Sequence, residues 1–117
     1  MFALLSPYSE VNPRESLATG YGTFEVNLAA NTMTYVITTT GLATETLKHI
    51  HGFASPGVIA DPLHALPTGP IKQGVWPFLE SQQAQILQGL AYVNIQTERA
   101  PSGELRGQIF ALGACGP

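Results

Sequence analysis

Apolar and polar side chains alternate with a period of two along most of the chain, the signature of strands that bury one face. The clearest case is residues 21–28, where Gly22, Phe24, Val26 and Leu28 take one phase and Tyr21, Thr23, Glu25 and Asn27 the other. Residues 32–40 are rich in Thr, Tyr, Val and Ile, which suit a pleated, half-buried surface. Ala29, Ala30 and Asn31 connect the two, and Asn31 tolerates a left-handed backbone, so a β-hairpin is predicted. Further strands are predicted over 2–5, 46–52, 71–78, 90–97 and 104–112, with a turn at Pro101, Ser102 and Gly103 that puts Gly103 at positive φ. Residues 6–17 carry Pro7 and Pro13 and read as a loop. Residues 53–70 hold Pro56, Pro62, Pro67 and Pro70, a density that predicts a long ordered loop with no strand running through it. Loops of that length in compact domains are often functional. Only residues 80–88 depart from period two. There Leu79, Ala84, Ile86 and Leu87 fit one helical face, Ser81 suits the start and Gly89 the end.

About seven short strands, frequent turns, one helix and no strand–helix–strand alternation predict an all-β fold. The expectation is an antiparallel Greek-key β-sandwich of about seven to eight strands with one short helix. A chain of 117 residues is the length of one domain with its own core. With 44% hydrophobic and 11% charged residues it is not a disordered chain. The net charge of −3 and the lack of any basic run exclude nucleic acid as a partner. No apolar run approaches the roughly 20 residues of a membrane-spanning helix. The apolar start, Met1 to Leu5, is too short for a signal peptide and lacks its basic flank. The lone Cys115 has no intrachain disulfide partner and no base near it in sequence, and reads as an inert thiol.

Candidate chemistry centres on Lys48-His49-Ile50-His51-Gly52, which holds two of the three histidines. On a strand, His49 and His51 project from one face and Ile50 from the other, and two adjacent imidazoles are half of a metal site. The phase extends to other strands. If Ile50, Val93, Ile95, Leu105 and Ile109 face the core, then His49, His51, Gln96, Glu104, Arg106 and Gln108 face outward. In neighbouring strands His49, His51, Gln96 and Arg106 share one surface, over which the proline-rich loop can bring His64. A sandwich also needs polar outer faces for solubility alone, which explains the same residues without a site. Arg106 offers a planar fork for a loop carbonyl or for Asp61, so Arg106 and Glu104 are expected to support the site rather than perform chemistry. The chain shows no nucleophile elbow, no paired carboxylates and no glycine-rich phosphate loop, and no catalytic residue is assigned.

Several motifs in order carry a family resemblance: Leu5-Ser6, Glu10-Val11-Asn12-Pro13, Ala18-Thr19-Gly20, Gly22-Thr23-Phe24, Thr34-Tyr35-Val36-Ile37, His49-Ile50-His51-Gly52, and Tyr92 to Thr97 followed by Pro101 to Ile109. From about residue 2 to 112 the chain resembles the CHRD domain, named for chordin. The resemblance implies one CHRD-like β-sandwich over 1–117 and a secreted or periplasmic protein, with a signal peptide or membrane anchor encoded upstream of Met1. More distantly the chain is similar to the Cu/Zn superoxide dismutase sandwich. That likeness implies copper, with zinc as the alternative, bound by His49 and His51, with His64 loosely at the loop-histidine position. The family's late-strand histidine falls on Gln96, where typical CHRD domains read Val-Asn-Val-His-Thr. A neutral amide is a poor copper ligand beside imidazole, so weakened loading is expected. Three functions follow. One is metal binding, with superoxide dismutase-like redox activity if a third histidine joins. The second is a non-catalytic module that binds a protein partner, and the third is a metal-free enzyme using the outer face. The sequence does not specify the oligomeric state.

Overall fold

The computed structural model describes residues 1–7 and 16–111. Period two becomes eight strands: β1 (Phe2–Leu5), β2 (Thr19–Asn27), β3 (Thr32–Thr40), β4 (Glu45–His51), β5 (Pro62–Ala65), β6 (Ile71–Pro77), β7 (Tyr92–Thr97) and β8 (Leu105–Gln108). They form two four-stranded sheets, ordered β1-β2-β3-β6 and β5-β4-β7-β8, with every pairing antiparallel. The inner faces meet over Phe24, Met33, Tyr35, Ile37 and Trp76 of the first sheet and Ile50, Val93, Ile95 and Leu105 of the second, all buried. Each such side chain contributes about 1.5–3 kcal/mol by leaving water. Asn31 (φ 55°) and Gly103 (φ 132°) take the positive φ expected of them.

One side of the sandwich is closed. The Phe2 and Phe110 backbones exchange hydrogen bonds of 2.7 and 2.8 Å, and those of Ser6 and Arg106 exchange bonds of 3.0 and 3.2 Å. This seam joins β1 to the end of β8 and hides two sheet edges. Gly107 sits under it: a Cβ there would lie 2.2 Å from the Leu4 carbonyl oxygen. On the opposite side β5 and β6 are the edge strands of their sheets, and among the described residues they do not pair with each other.

A buried ion pair ties the sheets together. Lys72 of β6 and Glu45 of β4 both point between the sheets, and the Lys72 ammonium, fully buried, meets the Glu45 carboxylate. The Lys72 Nζ also donates to the Gly69 carbonyl at 2.6 Å, and the Gly69 N–H donates to Glu45 at 3.0 Å. Every charge-bearing atom in this cluster therefore has a partner, which is the condition for burying it.

Three expectations need correction. The segment 53–70 is not wholly loop, because β5 runs through it. Pro62 opens that strand at the sheet edge, where a missing N–H costs no ladder bond. The helix is a 3-10 turn, Glu80–Gln82, running into α1 (Gln83–Leu87). The Leu79 N–H is capped by Gln82 Oε1 at 2.9 Å rather than by Ser81. Of its predicted apolar face only Ile86 is buried, while Leu79 and Leu87 are 65% and 51% exposed. The last strand stops at Gln108 rather than at residue 112. Cys115 and the motif Glu10-Val11-Asn12-Pro13 lie outside the described residues.

Two predictions follow from the seam and the ion pair. Gly107→Ala should cost about 2–4 kcal/mol in urea unfolding, because its neighbour is backbone and cannot move aside cheaply. A loss below about 0.5 kcal/mol would show that the seam is loose. Lys72→Met should cost about 3–5 kcal/mol by stranding Glu45, whereas Lys72→Met/Glu45→Met should recover most of the loss. Equal losses in the single and double variants would contradict a pair held by mutual compensation.

Candidate functional site

Antiparallel pairing fixes which side chains stand together on the outer face of the second sheet. His49 lies directly opposite Asn94 and His51 opposite Tyr92; across β7, Asn94 lies opposite Arg106 and Tyr92 opposite Gln108. The intervening residues Ile50, Val93 and Ile95 face the core. The His49 and His51 rings stand perpendicular, with centroids 5.6 Å apart. His51 stacks on Tyr92, with centroids 5.1 Å apart and planes 15° apart. From the other flanking strand the Arg106 guanidinium lies 3.6 Å from the centre of the Tyr92 ring, within cation–π range.

Residues 53–61 form a strap over this layer. The Ala60 N–H donates to Tyr92 Oη at 2.8 Å, and Tyr92 Oη donates to the Ala60 carbonyl at 3.3 Å. That carbonyl also accepts the His51 Nδ1–H at 2.9 Å. Arg106 donates to the Ser55 carbonyl at 3.2 Å and to Gln108 Oε1 at 3.1 Å, and Gln108 Nε2 donates to the carbonyls of Ala54 and Gly89 at 3.1 and 2.9 Å. Under the strap Arg106 is 2% exposed.

The bond to Ala60 decides the His51 tautomer. With the proton on Nδ1, a neutral His51 carries a bare lone pair on Nε2. That Nε2 is buried and has no hydrogen-bond partner among the described residues. Burial chiefly pushes the His51 pKa down; the Ala60 bond opposes this, and the charges of His49 and Arg106 add to it. The side chain is thus held neutral, oriented and with an unmet acceptor.

The predicted residues divide. His49, His51 and Arg106 share the outer face as expected, and Arg106 fixes a loop carbonyl, that of Ser55. His64 is not brought over the pair. It sits on β5 directly opposite Ile50, so it faces between the sheets. There its Nε2 and Tyr35 Oη are hydrogen-bonded at 3.2 Å, and its ring lies 6.5 Å from that of Trp76. Gln96 is one pair further along β7 than Asn94, level with the bulge in β4, so Asn94 rather than Gln96 adjoins His49. Glu104 does not face the outer surface. It precedes β8 and turns into the end of the sandwich, 1% exposed, where it accepts bonds from Ser16, Thr97, Arg99 and the Ala43 N–H. Burial alone would raise its pKa, but those donors outweigh it and hold the carboxyl below the usual range. Tyr92 and Asn94 carry the outward phase in the sequence, but only the register shows that they adjoin the histidines. Among the described residues no group of three or more His, Cys, Asp or Glu converges.

The model of the CHRD domain family matches residues 1–109. The chain belongs to the CHRD domain family. Neither a curated protein nor a solved structure matches it. CHRD domains are found in extracellular or secreted proteins. Among the described residues of this CHRD domain no helix is long and apolar enough to cross a membrane.

Burial also lowers the His64 pKa, aided by the charge of His49. Both His51 and His64 are therefore depressed below the unfolded value of about 6.5. Between the folded and unfolded values the unfolded chain binds more protons, so stability rises with pH. Their contribution is complete above about pH 6.5 and is lost as the pH falls toward the folded-state values. Urea melts of this CHRD domain should show stability falling below about pH 6.5, by at most about 1.4 kcal/mol per pH unit for each histidine. The slope should be smaller in His51→Phe. A flat profile between about pH 6.5 and 5 would contradict neutral, half-buried imidazoles.

Proposed function

We propose that this CHRD domain is an extracytoplasmic β-sandwich that holds a metal ion, copper before zinc, between His49 and His51. The observation that carries the reading is the His51 Nε2, buried and without a hydrogen-bond donor. Its ring is oriented through the Nδ1–H bond to Ala60, the arrangement by which a metal-bound histidine is held by its other nitrogen. His49 stands beside it at 5.6 Å between centroids. Imidazole suits copper and zinc alike, and an ion there would supply a Lewis-acidic centre or, for copper, a redox one.

The residues present fit a two-imidazole site. They fit a superoxide dismutase-like centre less well. His64 is turned to the core and Gln96 stands one pair beyond the residue beside His49. We therefore place binding before redox turnover. Tyr92 and Arg106 support the site, Tyr92 by anchoring the strap and Arg106 by stacking on Tyr92. Glu104 supports the fold at a distance. An extracytoplasmic setting is favoured by where CHRD domains occur.

Titration of the chain with Cu(I) under a competing chelator, and with Zn(II) by calorimetry, tests the reading. One equivalent should bind, His49→Ala/His51→Ala should abolish binding, and His64→Phe should leave it unchanged. Tyr92→Phe, which loosens Ala60, should weaken it roughly tenfold. Asn94→His should tighten it by supplying a third imidazole directly opposite His49. A parent that binds no better than the double alanine variant overturns the proposal.

A further inference from the structure

The strap over the histidine face is built as a flap. Its neck is closed where the Gly52 N–H donates to the Asp61 carbonyl at 3.0 Å, and the buried Ala54 is pinned through its N–H to the Leu90 carbonyl at 3.0 Å. Between these points residues 55–60 fold back on themselves. The Val58 N–H donates to the Ser55 carbonyl at 3.1 Å across Pro56 and Gly57 (φ 82°), the residues and the positive φ of a type II turn. Residues 55–59 are all exposed, Val58 at 52% and Ile59 at 72%, so burial of their side chains does little to hold the turn down. Its latches are hydrogen bonds at the two ends: Arg106 to the Ser55 carbonyl, and Tyr92 Oη and His51 Nδ1 to Ala60. A segment tied in this way belongs to the low-stability end of a fold, where local opening is cheapest. Yet the His51 Nε2, on the ring that Ala60 holds, is buried.

We propose that residues 55–60 swing away from Tyr92 and Arg106 to admit an ion to the His51 Nε2, so that opening of this flap, rather than diffusion, sets how fast the site fills. The gate rests on the two-histidine reading of the site. Each latch bond favours the closed form by roughly two- to tenfold, which leaves the open form on the order of one molecule in a hundred. The hinges, Ala54 and Asp61, lie outside the strands, so opening leaves both sheets intact.

Acylation of the metal-free chain by diethyl pyrocarbonate at about pH 7, read histidine by histidine by mass spectrometry, measures access without any metal, because the reagent takes a bare imidazole nitrogen. His51 should react at least about thirtyfold more slowly than in the urea-unfolded chain. Pro56→Gly alters an exposed turn residue and no site residue; it frees the backbone of the open flap and should raise the His51 rate roughly two- to fivefold. Tyr92→Phe, which cuts both bonds from the hydroxyl to Ala60, should raise it roughly fivefold. His64, which faces between the sheets, should react alike in all three chains. Stopped-flow uptake of Zn(II) should level off as zinc rises, with a higher plateau in Pro56→Gly. A His51 that reacts at its unfolded rate, or slowly but equally in all three chains, overturns the flap. So does a rise shared equally by His64, which marks global unfolding, or a zinc uptake rate that climbs in proportion to concentration throughout. A chain that takes up no zinc while its acylation follows the expected pattern overturns the two-histidine reading, and with it the flap's role as an ion gate, while the motion itself stands.

Discussion

Tyr92 is the residue on which the arrangement of the histidine face depends. Its ring is flanked by His51 of β4 and Arg106 of β8, and its hydroxyl holds Ala60 of the strap. One side chain thereby couples three neighbouring strands to the loop above them. Antiparallel register puts it there, because Tyr92 lies opposite both His51 and Gln108. The stack and the cation–π contact each contribute about 0.5–2 kcal/mol, modest amounts. Their larger effect is orientation: the strap carbonyl they position dictates where the His51 proton resides.

The rest of the molecule holds that face rigid. The β1–β8 seam fixes β8 and hence Arg106, since the Arg106 backbone both donates to and accepts from Ser6. Glu104, with its four donors, anchors the turn immediately before β8. The Lys72–Glu45 pair locks β4 to the opposite sheet near the start of the histidine strand. Buried charge of this kind adds little net stability, but removing one partner is costly, so it penalises alternative pairings of the two sheets.

Period two along the chain was enough to read the sandwich, its hairpins, the left-handed turn residues and the shared phase of His49, His51 and Arg106. What it could not reveal was register. His64 looked free to cover the histidines because proline density masked β5; once that strand pairs with β4, His64 stands across from Ile50 and faces inward. Glu104 has the outward parity of β8, but ladder pairing begins only at Leu105, so Gly103 can swing the carboxylate into the sandwich end. The apolar spacing around Ile86 was real but short, and a helix of five residues has one side chain to bury rather than a full stripe. Asn94 next to His49, and Tyr92 beneath His51, are facts of cross-strand neighbourhood that spacing within one strand does not encode.

The central claim is that the fold presents the His51 Nε2 as an unprotonated, buried lone pair, whether or not an ion is present. Long-range proton–nitrogen correlation of the imidazole rings in the metal-free chain near pH 7 reads this directly. The account predicts Nδ1 of His51 in the protonated range and Nε2 in the bare range, with the Nδ1–H shielded from exchange by Ala60. A His51 that carries its proton on Nε2, or that averages freely between tautomers, would contradict it.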